Sequence, residues 1–351
     1  MSLSLLITIL EVIILCLICL TALFGNLSLY IIVYKNKDLQ TVTNLYILNL
    51  AAADIMVSVL SIPFTVVTVI TGHWLFGDTA CVALGFLTIL SFITSVMSLG
   101  MIAINRYFYI VKWNTYKKTF SKKKSLLYAA AVWIVSISLA SPPLFGWAEY
   151  SFIPGKSYCF VYWPSNVYFM YFMITVCFFG PLSVMAFSYY NILMFTKNLK
   201  RRIAVSRNYL APTPLHHEPT TEEKTQKDNP EDIKVERPGI NRHEEGTFKM
   251  TLRSKPKFQI TPEETKITNM FLCVVALFII CWAPFVITMF FDVYYSRPLP
   301  HTVDMATLLL GYLNSMCNPI LYGLCNSAFK QGFLNLYSRF LPKRFKPTNV
   351  T

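Results

Sequence analysis

Seven apolar runs, each at least the roughly 20 residues a helix needs to cross a hydrocarbon core, punctuate this chain at about 5–34, 42–70, 78–110, 125–145, 165–195, 265–293 and 302–324. Inside a bilayer no water is available to satisfy backbone N–H and C=O groups, so such runs must close their hydrogen bonds within a helix. The fold class expected is therefore an all-α membrane protein, a bundle of seven transmembrane helices. Composition agrees: 54% of the 351 residues are hydrophobic, 14% are charged, and the mean hydropathy is +0.48. The net charge of +13 does not point to nucleic acid, because the basic residues crowd into short loops beside the apolar runs. An odd number of crossings puts the termini on opposite sides. With the N-terminus outside, only Lys156 and Arg297 of the 31 Lys and Arg residues face outward, as the positive-inside rule requires. The start of the chain is apolar from Leu3 and has no basic leader region, so it reads as a retained helix.

The third run sets the theme. No charge separates Asp78 from Arg106, so one arginine stands at the inner mouth of a long apolar helix. Such a cation can be held or released by carboxylates on neighbouring helices. Of nine cysteines, only Cys81 and Cys159 fall on the outer, oxidising side. They are the expected disulfide, tying the 147–164 loop over the third helix. Residues 197–262 carry Pro212, Pro214, Pro219, Pro230, Pro238 and Pro256 among mixed charges and read as a long, largely disordered inner loop. Lys200, Arg201 and Arg202 extend the fifth helix into it. Thr261, Pro262, Glu263 and Glu264 have the pattern of a helix start. Beyond the seventh run, Phe329, Phe333, Tyr337 and Phe340 recur at helical spacing, predicting a short amphipathic eighth helix over 326–341 in the membrane interface. The membrane-spanning body is thus 1–341, with a tail at 342–351.

Ordered motifs, one or two per helix, carry a resemblance. They are Gly25-Asn26, Leu50-Ala51-Ala52-Ala53-Asp54, Asn105-Arg106-Tyr107, Trp133, Pro181 with Tyr189, Cys281-Trp282-Ala283-Pro284 and Asn318-Pro319-Ile320-Leu321-Tyr322. The chain resembles the rhodopsin-like (class A) G-protein-coupled receptors over nearly its whole length. Locally, Pro142 to Trp147 resembles the opsins, while Ile104-Asn105-Arg106-Tyr107 and Ile280 to Pro284 resemble the melatonin receptors. Opsins carry a retinal-binding lysine six residues before the Asn-Pro motif; here that residue is Tyr312, so a Schiff base has no amine to form from. Polar pocket positions of the melatonin receptors are Pro143 and Cys177 here. Amine receptors place an aspartate on the third helix where this chain has Thr88. That substitution argues against an aminergic ligand.

The resemblance implies a plasma-membrane receptor, not an enzyme, with an extracellular N-terminus. It would pass a small-molecule signal to heterotrimeric G proteins by outward movement of the sixth helix; arrestins and receptor kinases are the further partners implied. An outer pocket of Thr88, Ile89, Phe92, Cys177, Trp282, Phe285, Met289, Leu308 and Tyr312 would suit a lipophilic or aromatic ligand. Asp292, Asp304 and Glu149 at its rim read as solvated loop charges. Asp54, Ser95, Asn314, Ser315 and Asn318, with Asn26 nearby, would form a sodium site; no covalent cofactor is expected. The switch would comprise Asn105, Arg106, Tyr107, Glu264, Pro181, Val96, Phe278, Tyr189, Pro319 and Tyr322. In it an Arg106–Glu264 ion pair closes the inner end, and Asn105, in place of the usual aspartate, weakens a second restraint. The two alternatives of different class are a retinal-binding photoreceptor, disfavoured by Tyr312, and a transporter or channel. The latter usually shows internal repeats or paired intramembrane charges, which this chain lacks.

Overall fold

In a computed structural model, the residues described are 3–210, 261–295 and 297–338. Their long helices are α1 (Leu3–Lys35), α2 (Val42–Met56, a π turn at Val57–Ser61, then Ile62–Thr71), α3 (Gly77–Ile110) and α4 (Lys122–Ala140). There follow α5 (Val167–Met173, a π turn at Ile174–Phe179, then Gly180–Leu210), α6 (Pro262–Tyr294), α7 (His301–Cys325) and a short α8 (Ser327–Leu336). Six of the long helices are apolar enough to cross a membrane by length and composition. The seventh, α7, carries Asp304, Asn314, Ser315 and Asn318, all buried, so its polar face turns inward. Met1–Lys197 and Ile260–Thr351 form one compact unit and Asn198–Gln259 another. In the latter, 198–210 is helical, so the expected inner loop begins later than 197; its expected disorder falls on 211–260, outside the described residues.

Prolines explain the irregularities. Pro63 and Pro181 each lack the N–H that would bond the carbonyl four residues back, and a π turn lies immediately beside each. Pro284 and Pro319 lie inside α6 and α7. Pro319 frees the Ser315 carbonyl, and Asn26 Nδ2 donates to it at 3.1 Å. The neighbouring Gly25 makes that approach possible, because a Cβ there would fall 2.7 Å from the Pro319 ring. Gly25-Asn26 is therefore the joint at which α1 meets the weakened turn of α7. A second polar seam joins α4, α2 and α3: Trp133 Nε1 donates to Asn49 Oδ1 at 2.8 Å, and Asn49 Nδ2 to Ser98 Oγ at 2.8 Å.

The start of α6 is as expected. Thr261 accepts the Glu264 N–H, and the Glu264 carboxylate accepts the Thr261 N–H. The aromatic stripe of α8 packs partly on protein: Phe329 is buried against Tyr322, a Cβ at Gly332 would strike Ile32, and Tyr337 shares a hydrogen bond with Ser28 at 2.6 Å. Phe340 and the tail lie outside the described residues.

Outside the bundle ends, the 147–164 loop forms an antiparallel hairpin of β1 (Tyr150–Ile153) and β2 (Tyr158–Val161), with Phe152 opposite Cys159. Cys159 is bonded to Cys81, as expected from the topology. Tyr158, Cys159, Phe160, Val161 and Trp163 are all buried, so this loop is a fitted lid. Gly85 of α3 gives it room, since a Cβ there would lie 2.9 Å from the Tyr150 ring.

Candidate functional site

Beneath the lid lies a cavity of about 80 Å³ enclosed by α3, α5, α6 and β2. Six of the expected lining residues meet it: Ile89, Phe92, Cys177, Trp282, Phe285 and Met289. Three do not. Tyr312 is fully buried and its hydroxyl bonds Ser61 at 2.7 Å and Thr65 at 3.1 Å, while Thr88 donates to Ser61 at 3.2 Å. These hydroxyls need each other in a dry interior, and the cluster closes the cleft between α2, α3 and α7. Leu308 packs in the apolar core rather than on the cavity. The missed contributors are Phe160 and Trp163 from the lid, Met173, Ile174 and Phe178 around the α5 π turn, and Ile93 and Val286 on α3 and α6. The π turn has no sequence signature apart from Pro181, and nothing local says that Phe160 points inward.

Aromatic rings form the cavity floor. Trp282 meets Phe92 edge-on at 4.5 Å and Phe285 at 5.8 Å, and Phe285 meets Phe160 at 5.8 Å. Phe278, one turn inward from Trp282 at 6.4 Å, also lines the cavity, as does Val96. Pro181 faces Gly100 of α3. A molecule entering this space would press on rings standing directly beside the Pro284 kink.

At the rim the expectation of solvated charges holds for Glu149, which is exposed, and fails for the two aspartates. Lys156, only 1% exposed, is ion-paired with Asp292 and lies 3.8 Å from Asp304. The loop turn delivers a cation into the bundle, where it compensates the buried carboxylate of Asp304 and the half-buried one of Asp292. Beside them His301 Nε2 lies 3.2 Å from Glu11. Burial holds the phenol of Tyr158, in the lid, well above the usual tyrosine range.

In mid-bundle, Asp54 is fully buried and its Oδ2 accepts from Asn318 Nδ2 at 2.9 Å. Its Oδ1, together with Ser95 Oγ and Asn26 Oδ1, has no protein hydrogen-bond partner. Asn314 and Ser315 are buried as well. An oxygen-rich set with unpaired acceptors suits a small hard cation.

At the inner end the expected ion pair is corrected. Among the described residues, no close ion pair joins Arg106 to Glu264: the Glu264 carboxylate accepts from the Thr261 N–H in the cap of its own helix and from the Tyr109 hydroxyl of α3, and acts on Arg106 only at longer range. Arg106 is buried, its guanidinium lies 5.1 Å over the Tyr109 ring, and its Nε and Nη2 have no hydrogen-bond partner. Asn105 does not restrain it either. Asn105 accepts from Thr43 at 2.8 Å and donates to Tyr116 at 3.3 Å, tying α2 to the short inner-loop helix Trp113–Thr119. Tyr107 packs on Phe187 at 5.9 Å. Tyr189 and Tyr322 are buried between α3, α5 and α7. A cavity of about 530 Å³, lined by Arg106, Tyr109, Glu263, Lys266 and Ala328 among others, opens here.

Comparison with known proteins gives a consistent result. The family model described as "7 transmembrane receptor (rhodopsin family)" matches residues 25–322. The chain is similar to the alpha-1D adrenergic receptor of Rattus norvegicus, 27% identical over 90% of this chain and 55% of that protein. It is also similar to 5-hydroxytryptamine receptor 4 of Cavia porcellus, 26% identical over 90% and 76% of the respective chains. The chain thus spans about half the length of the adrenergic relative. Among solved structures, that of squid rhodopsin shares the fold with a TM-score of 0.74 at 18% identity, covering 98% of this chain and 88% of that one.

Proposed function

Because the chain belongs to the rhodopsin family of seven-transmembrane receptors, we propose that it is a plasma-membrane receptor with its N-terminus outside, passing the signal of a small lipophilic or aromatic ligand to a heterotrimeric G protein. The observation that carries this reading is the aromatic cavity set against Trp282 and Pro284. A ligand bound there shifts a two-state equilibrium only by contacting the two states differently. The rings beside a proline kink supply that difference, and the inner half of α6 swings outward about Pro284. The inner cavity beside Arg106 receives the G protein; arrestins and receptor kinases would use the same end.

The amine ligands that the relatives' names imply are a weaker guide for this cavity. Its walls are apolar and Thr88 stands at the third-helix position of the amine-binding aspartate, its hydroxyl bonded to Ser61. Sodium fits the Asp54 cluster, where Asp54 and Ser95 would hold it with Asn314, Ser315 and Asn318 around them. When bound it would neutralise the carboxylate and draw α2, α3 and α7 together. Retinal is disfavoured by Tyr312: illumination with 11-cis-retinal should leave no borohydride-trappable adduct on the chain, and finding one would reinstate the photoreceptor reading. The main test is a panel of G-protein dissociation reporters in cells expressing the receptor, with and without lipophilic aromatic compounds. Silence of every reporter would remove the coupling step.

A further inference from the structure

Lys156 is a basic residue on the outer face that the receptor reading leaves unused, and its placement is unusual for a loop lysine. The turn that carries it, Pro154–Lys156, is clasped from several sides. Thr68 of α2 donates a hydrogen bond to the Ser157 carbonyl, and His301 of α7 bonds the Gly155 carbonyl at 2.9 Å. Gly155 presses so closely on α7 that a Cβ would lie 2.9 Å from Asp304 Oδ2. Ser157 adopts a left-handed backbone, φ 52°, to turn the chain back into β2. All of this drives the ammonium between Asp292 of α6 and Asp304 of α7, with Phe285 5.6 Å away to complete an aromatic wall. The site is more acidic than one lysine needs. Asp304 Oδ1 is buried at 3.8 Å from the ammonium and has no hydrogen-bond partner.

We propose that Lys156 is a built-in ligand: its ammonium fills a site for primary ammonium groups between Asp292 and Asp304, and its residence there favours the open inner end. This deepens the receptor reading and its signalling arm rests on it. The mechanical argument starts from α6, a single helix with Pro284 inside it, where the missing N–H weakens the ladder and lets the helix kink. Holding its outer end, at Asp292, toward the lid and α7 directs the segment inside the kink away from α3. Phe285, which faces the ammonium, packs on Trp282, and Trp282 on Phe278, so the clasp and the kink share one stack of rings. At the other end of the same helix the hold is looser: among the described residues Arg106 has no close ion pair with α6, Glu264 reaches α3 through a hydrogen bond with Tyr109, and a cavity of about 530 Å³ lies beside them. The outer clasp and the loosely held inner end occur in one structure.

The test removes the ammonium and returns it in solution. Lys156→Ala lacks the part of the side chain that n-propylammonium replaces. In full-length receptor at matched surface expression, ligand-free G-protein dissociation should fall about tenfold in Lys156→Ala, the effect of losing a moderate conformational bias. Millimolar n-propylammonium should restore it there, leave the parent unchanged, and do nothing in Lys156→Ala/Asp292→Asn. Unchanged signalling in Lys156→Ala, or equal stimulation of every variant by the amine, would overturn the proposal. If Lys156→Ala fails to reach the surface, Lys156→Met keeps the aliphatic stem without the charge and should show the same fall. If the parent couples to no G protein, the coupling reading has failed, and the site is judged by the thermal midpoint of purified Lys156→Ala. A rise with n-propylammonium that vanishes with Asp292→Asn supports the ammonium site; no rise refutes it.

Discussion

The two ends of the bundle are held in opposite ways. At the outer end, a disulfide, a buried hairpin, the ion pairs Lys156–Asp292 and Lys156–Asp304 and the Glu11–His301 contact lock lid and helices together. At the inner end, among the described residues, no ion pair is found; Arg106 is buried beside a large cavity, and α6 meets its neighbours there through the Glu264–Tyr109 hydrogen bond and the Phe271–Tyr322 ring contact. Charges facing each other across helices restrain motion, whereas charges used within one helix do not. The contrast identifies the inner end as the part free to move and the outer end as the part that sets where it moves.

The largest effect should come from opening the outer lock. The Cys81–Cys159 bond closes a sequence separation of 78 residues, for which chain entropy gives about 4–5 kcal/mol; a membrane-confined unfolded state lowers that figure. Cys159→Ser should therefore sharply reduce surface expression and the thermal midpoint in detergent, and a near-normal midpoint would show that the buried hairpin holds without it. Next is the mid-bundle joint. Gly25→Val must push a side chain into the Pro319 ring, costing up to about 3 kcal/mol, and Asn26→Ala should cost about 1–3 kcal/mol by orphaning the Ser315 carbonyl. Both are read as a lower thermal midpoint, and additivity of the pair would argue against a shared joint.

A smaller effect is expected at the inner end. Asn105→Asp returns a carboxylate to the neighbourhood of Arg106, an interaction worth about 1.5 kcal/mol, so ligand-free signalling should fall roughly tenfold. A rise would mean that the Thr43–Asn105–Tyr116 bridge matters more than the arginine. The smallest effect separates cap from charge. Glu264→Gln keeps the capping box and an oxygen to accept from Tyr109, and should leave ligand-free signalling within about twofold of the parent, because Arg106 and Glu264 make no close ion pair and interact only at longer range. A large rise in that variant would restore the ion pair as the inner lock.

Most of the architecture can be read from local pattern. Run length determined the crossings, the positions of Cys81 and Cys159 in the chain determined the disulfide, and Thr261 to Glu264 determined where α6 starts, while the distribution of lysine and arginine gives the expected orientation. Each depends on bilayer thickness, redox side or one turn of helix, quantities that a chain expresses locally. The partners of Tyr312, Asn105, Glu264 and Lys156 were decided only in three dimensions. Two π turns change the helical phase of α2 and α5, Glu264 is shared between its own cap and Tyr109 rather than paired with Arg106, and the loop backbone at Gly155 and Ser157 turns Lys156 inward. A side chain's charge is set by its type, but whether it faces water, its own helix or a carboxylate on another depends on helix phase and on the fit of neighbouring backbones, which are properties of the packed bundle.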